Sequence, residues 1–161
     1  MDDTTFNRQY FMTRAVELAA FAVENGLGGP FGAVVVKDRV IIGEGYNQVT
    51  SSNDPTAHAE IMAIRNACKQ LGSFQLTGCE IYSSCEPCPM CLGAIYWARP
   101  GALYFCSDRY DAAQAGFDDS FIYDEMASPV ENRNMPMFHL HCIQADEPFQ
   151  IWNVKETKMK Y

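Results

Sequence analysis

Two short segments constrain this chain more than any other feature: Thr56-Ala57-His58-Ala59-Glu60 and Cys85-Glu86-Pro87-Cys88-Pro89-Met90-Cys91. Imidazole and thiolate are both good zinc ligands. Cys88 and Cys91 lie one helical turn apart, so both sulfurs can reach a single ion. Their segment opens a helix, and the dipole at a helix N-terminus favours thiolate over thiol. His58 falls in the first turn of a helix of its own. A fold that uses all three ligands has to bring the starts of two helices together. Three protein ligands leave one tetrahedral position for water, which marks a catalytic rather than a structural zinc.

Glu60 follows His58 by two positions. Side chains two apart diverge inside a helix, but in the first turn both can border a cavity beyond the helix end. His58 would hold the metal there. Glu60 would face the bound water, take its proton and return it elsewhere. His-x-Glu followed by Pro-Cys-x-x-Cys is the signature of zinc-dependent nucleobase deaminases, matched here by His58, Glu60, Pro87, Cys88 and Cys91. Other readings compete. Cys85 as a fourth ligand would close a structural site and leave Glu60 without a task. A thioredoxin-like Cys-x-x-Cys pair would leave His58 and Glu60 unexplained. An iron–sulfur run starting at Cys85 fails because its fourth position falls on Ile95.

The rest of the chain sets the frame. Its 161 residues fit a single domain, residues 1–161. The net charge of −8 argues against a nucleic-acid partner, which needs Lys and Arg to displace counterions, and against an anionic membrane surface. No run of residues is apolar enough for a membrane span, and the start lacks a signal-peptide pattern. Seven cysteines, an odd and dispersed set, point to a reducing, cytoplasmic setting with free thiols. Cys68, Cys79, Cys106 and Cys142 read as buried thiols. His139 and His141 read as a solvated or hydrogen-bonded pair on one face of a strand, with a second metal site as the alternative.

Apolar spacing predicts a helix over 6–24 that stops at Asn25-Gly26, then a hairpin of strands 31–36 and 40–45. Asp54-Pro55 reads as the start of a helix carrying Ile61, Ile64, Cys68 and Leu71 and ending at Gly72. A third strand over 79–84, a short helix over 89–98 and a fourth strand over 102–106 follow. A fifth strand is expected over 137–143 and a last helix over 147–158. The alternation predicts an α/β fold of three layers, α/β/α, with a mixed five-stranded sheet between helices.

With these residues in view, the sequence resembles the cytidine deaminase superfamily, and within it the bacterial guanine deaminases. The resemblance rests on Gly28 to Val34, on Asn53 to Glu60 and Ser84 to Ala98, and on Ala115-Gly116-Phe117-Asp118-Asp119-Ser120-Phe121. It implies hydrolytic loss of an exocyclic amine from a nucleobase, for guanine giving xanthine and ammonia, with one Zn2+ per subunit. Zinc would lower the pKa of its water towards about 7, and Glu60 would shuttle protons while hydroxide attacks C2. By the same resemblance Phe31, Asn47, Ala59, Trp97, Asp119 and Tyr161 contact the substrate. The plain alternatives are core aromatics at Phe31 and Trp97, a turn residue at Asn47 and a solvated loop acid at Asp119. The family also implies a homodimer whose C-terminal segments, about residues 147–161, close the active site and are exchanged between subunits. Related deaminases of cytosine, guanosine or another aminated ring share the zinc segments. A non-catalytic zinc-stabilised module is the alternative from another class.

Overall fold

A computed structural model describes residues 3–161, with side chains from residue 8 onward. The chain packs as two compact units, Met1–Ser120 and Phe121–Tyr161. The first carries α1 (Asp3–Glu24), the hairpin β1 (Gly32–Lys37) and β2 (Val40–Tyr46), α2 (Val49–Ser52), α3 (Ala59–Leu71), β3 (Cys79–Cys85), α4 (Pro89–Ala98), β4 (Ala102–Ser107) and α5 (Arg109–Gln114). Helix α6 (Ser120–Ala127) begins at the boundary, and α7 (Glu147–Val154) lies in the second unit.

The sheet has four strands in the order β2-β1-β3-β4. β1 runs antiparallel to both neighbours, and β3 and β4 are parallel. β1 is buried on both faces, which its Ala-Val-Val-Val run suits. On one face Val34, Val36 and Tyr82 pack with Phe11 and Leu18 of α1. On the other Ala33, Val35 and Ile81 pack with Ala59, Ala63 and Ala67 of α3 and with Ile95 and Ala98 of α4. The expected layers of helix, sheet and helix are therefore present. Asp38 and Arg39 turn the hairpin with φ of 49° and 65°, the left-handed pair of a tight two-residue turn.

The alanines of α3 let it lie very close to β2. A Cβ on Gly45 would overlap the carbonyl oxygen of Ala59. That contact fixes the height of the start of α3, and with it His58 and Glu60.

The fifth strand is corrected: among the described residues the sheet ends at β4, and 137–143 forms no strand. Its β-forming side chains find no ladder partner, and Phe138, Leu140 and Ile143 are 90%, 88% and 89% exposed. Strand propensity needs pairing and burial to be realised. His139 and His141 are exposed there rather than side by side on a strand. The helix expected from Asp54-Pro55 starts later, at Ala59. Asp54 instead closes a local turn, its carboxylate accepting from the Thr56 amide at 2.8 Å and hydroxyl at 2.7 Å. Short α2 was not foreseen. The last helix stops at Val154, where the Lys158 ammonium donates to the Asn153 carbonyl at 2.7 Å. Of the four cysteines read as buried, Cys79 is buried, Cys68 is half-buried, and Cys106 and Cys142 are exposed.

Candidate active site

His58 is the N-cap of α3 and Cys88 the N-cap of α4. Both have extended backbone, with ψ of 156° and 167°, so each side chain stands at the mouth of its helix. Cys91 lies one turn into α4 and is fully buried. The His58 Nδ1 atom lies 3.6 Å from Cys88 Sγ and 3.5 Å from Cys91 Sγ. A tetrahedral zinc, with Zn–S of about 2.3 Å and Zn–N of about 2.0–2.1 Å, spans N···S edges of about 3.5–3.6 Å. Both His58–sulfur distances match such an ion, and all three ligand atoms lie within 4.8 Å of one another. Among the described residues, these three form the group of side chains able to hold a metal together.

Electrostatics point the same way. Hydrogen bonding from Cys91, and then from His58, holds Cys88 down at about 4 against its burial. Cys91 is pushed well above the usual thiol range, first by its bond to Cys88 and then by burial. A second thiolate beside the first, with Glu60 close by, is disfavoured by like-charge repulsion. A divalent cation among the donors removes that penalty. The donor set therefore fits zinc, one ion per subunit.

Glu60 is 6% exposed and is not a ligand. Burial raises its pKa above the usual carboxylate range, and the charge of Cys88 adds to this. Its Oε1 accepts a hydrogen bond from the Ser83 hydroxyl of β3 at 3.2 Å. The sequence reading missed Ser83. The available signal was two adjacent serines in a strand otherwise suited to burial on both faces.

Cys85 is not part of the cluster. Its thiol donates to the Asp108 carbonyl at 3.4 Å, and burial raises its pKa to about 11. The closed four-ligand site is set aside on that ground.

The other expected residues have definite places. Asn47 is buried, and its Oδ1 accepts from the Gly29 and Val49 amides, each at 3.2 Å. It is thus a turn residue, and with its oxygen engaged the amide nitrogen is the group left to donate. A Cβ on Gly28 would overlap that side-chain oxygen. Phe31 is half-buried and meets Phe117 edge to face at 5.1 Å and 87°. Ala59 is fully buried at the first position of α3. Trp97 is 64% exposed on α4 and is not a core aromatic. Asp119 is half-buried, and its pKa is raised first by that burial and then by the charge of Cys88, which places it in the field of the ligand cluster. Tyr161 belongs to the second unit and is largely exposed.

The family description "cytidine and deoxycytidylate deaminase zinc-binding region" matches residues 6–107, a span holding all three ligands and Glu60. The chain belongs to this family. It is similar to the guanine deaminase of Bacillus subtilis (strain 168), 57% identical over 155 residues, which are 96% of this chain and 99% of that one. The X-ray structure of guanine deaminase from Bacillus subtilis matches with a TM-score of 0.92 at 55% identity, covering 100% of this chain and 99% of the other. The tRNA-specific adenosine deaminase of Aquifex aeolicus (strain VF5) is 44% identical over 98 residues, 61% of this chain and 64% of that protein. Membership fits both the layered fold and the His-Cys-Cys cluster. Among the described residues no helix is long and apolar enough to cross a membrane.

Proposed function

We propose that this protein hydrolyses guanine to xanthine and ammonia. The observation that carries the reaction type is a buried carboxylate, Glu60, beside a three-residue zinc-ligand set to which it does not belong. The substrate rests on the similarity to a guanine deaminase over nearly the whole of both chains.

Zinc, when bound, supplies the Lewis acidity that makes a water nucleophilic near neutral pH. His58, Cys88 and Cys91 hold it. Glu60 does the proton work. It takes a proton from water while the Ser83 hydroxyl holds its Oε1. Glu60 passes that proton to the guanine ring nitrogen next to C2, and the water oxygen bonds to C2. Glu60 takes a second proton from that oxygen and gives it to the amine. The C2–N bond breaks, ammonia leaves, and a carbonyl remains at C2. A carboxyl with a raised pKa suits both directions of transfer.

The substrate contacts follow the same reading. Phe31, held edge-on by Phe117, and exposed Trp97 offer aromatic faces to a flat base. Asn47 donates through its amide nitrogen to acceptors on the purine edge. The Ala59 amide, in the first turn of α3, has no acceptor within its helix and is open to the substrate. Asp119 accepts from guanine N–H groups. Tyr161 and the segment 147–161 close the site, exchanged between the subunits of a homodimer. The exposed apolar side chains of Phe149, Ile151 and Val154 support that part, because a second copy would cover them.

The direct test is stoichiometric conversion. Zinc-loaded protein should turn guanine into equal amounts of xanthine and ammonia. Bound zinc with no conversion would leave a zinc-stabilised module without this chemistry.

A further inference from the structure

β3 presents its two serines to opposite faces of the sheet. Ser84 accepts from the Gly32 amide at 3.0 Å on the α1 side, tying the start of β1. Ser83, opposite Ala33 and 2% exposed, points to the α3 side. Its companions on that face, Ile81 and Cys85, are buried. A hydroxyl buried without a partner there would be destabilising. Packing alone would be satisfied by alanine. The hydroxyl's partner is Oε1 of Glu60, at 3.2 Å.

We infer that Ser83 is a positioning residue for Glu60: its hydroxyl anchors Oε1 and so restrains the carboxyl plane in which the proton is carried. Glu60 has three rotatable side-chain bonds; besides Ser83 its carboxyl group meets its own backbone amide and the Cys91 thiol, and a metal-bound Cys91 thiolate has no proton to donate. An orientation error of a few tenths of an ångström at a proton-transfer oxygen reduces the rate with little effect on binding. Ser83 contacts neither substrate nor metal ligand in this account. The inference rests on Glu60 being the proton carrier.

The test compares wild type with Ser83→Ala, Ser83→Thr and Ser84→Ala, all zinc-loaded. Ser83→Ala should lower kcat on guanine by about tenfold, the worth of one hydrogen bond to a charged group, with KM within about twofold. Zinc content and the affinity for xanthine measured by calorimetry should not change, and the variant should remain fully folded at the assay temperature. Ser83→Thr keeps the hydroxyl and should restore most of kcat. Ser84→Ala should lower the thermal midpoint instead. In a Glu60→Ala background, Ser83→Ala should leave the residual rate within about twofold, since the two residues act as one unit. An unchanged kcat in Ser83→Ala overturns the inference. So does a loss explained by lost zinc or by unfolding at the assay temperature, or an equal further loss in the Glu60→Ala background. If Glu60→Ala itself retains full turnover, the proton-carrier reading fails and the Ser83 role falls with it.

Discussion

The Cys85 thiol lies 3.4 Å from the Asp108 carbonyl oxygen and donates to it, while Cys88, three residues on, lies 3.6 Å from His58 Nδ1. The end of β3 turns between them into α4, so near-neighbours in sequence have different chemistry. Cys85→Ala should therefore keep one zinc per subunit, whereas His58→Ala, Cys88→Ala and Cys91→Ala should each lose it. Metal analysis after gel filtration decides this. Loss of zinc on Cys85→Ala would return Cys85 to the ligand set.

Glu60→Gln keeps the size of the side chain and removes the proton-carrying group. It should retain zinc and bind guanine, and lose about 10²–10⁴-fold in kcat, the range for a positioned acid–base group. Calorimetric binding measured beside steady-state rates separates the two. Retained turnover would contradict the role given to Glu60.

Much of this site could be read from the sequence. His58, Cys88, Cys91 and Glu60 stand out because few side chains bind zinc or carry protons, and their spacing at helix starts is narrow. Helix α4 was legible in full because Pro89 fixes its first position. The start of α3 was not, because Asp54 has two uses, capping a helix or closing a local turn, and only the packing of Ala59 on Gly45 selects the second. The strand expected over 137–143 failed because composition gives propensity but not a pairing partner. Ser83 stood out only as half of a serine pair in β3, and the pair does not say which of the two faces the site. Its meaning comes from a contact with a residue 23 positions away.

Gly45→Ala tests how α3 is seated. The added methyl meets backbone at Ala59 and Ala63, which cannot swing aside. We expect a cost of about 1–3 kcal/mol, typical of overpacking. Zinc affinity should fall with it, because His58 rides on the start of this helix. Denaturant unfolding and a competing chelator measure the two effects. An unchanged midpoint would show that α3 is held less closely.

The Arg14 guanidinium of α1 donates to Glu44 of β2 through Nε at 2.7 Å and Nη2 at 3.0 Å. The bond to Arg14 holds the Glu44 pKa below the ordinary value, against partial burial. A folded-state pKa below the unfolded one gives stability that is present above the unfolded pKa and lost as pH falls through the folded one. The pair is over a third exposed, so screening limits it to about 1 kcal/mol or less. Glu44→Gln should thus be less stable than wild type by that amount at pH 7, with a gap that is constant down to about pH 5 and shrinks below the ordinary carboxylate range near about 4.3. A gap that widens on acidification would reverse the assignment.

The most direct test of the central claim is ammonia release by the zinc-loaded protein from guanine, guanosine, cytosine, cytidine, adenine and a tRNA, compared at equal concentration. The account predicts release from guanine far above every other substrate, with xanthine as the product. Faster release from guanosine, cytosine or tRNA would keep the zinc cluster and Glu60 but contradict the substrate roles of Asn47, Asp119 and Tyr161. Silence on all six, with one zinc bound per subunit, would contradict the enzyme itself.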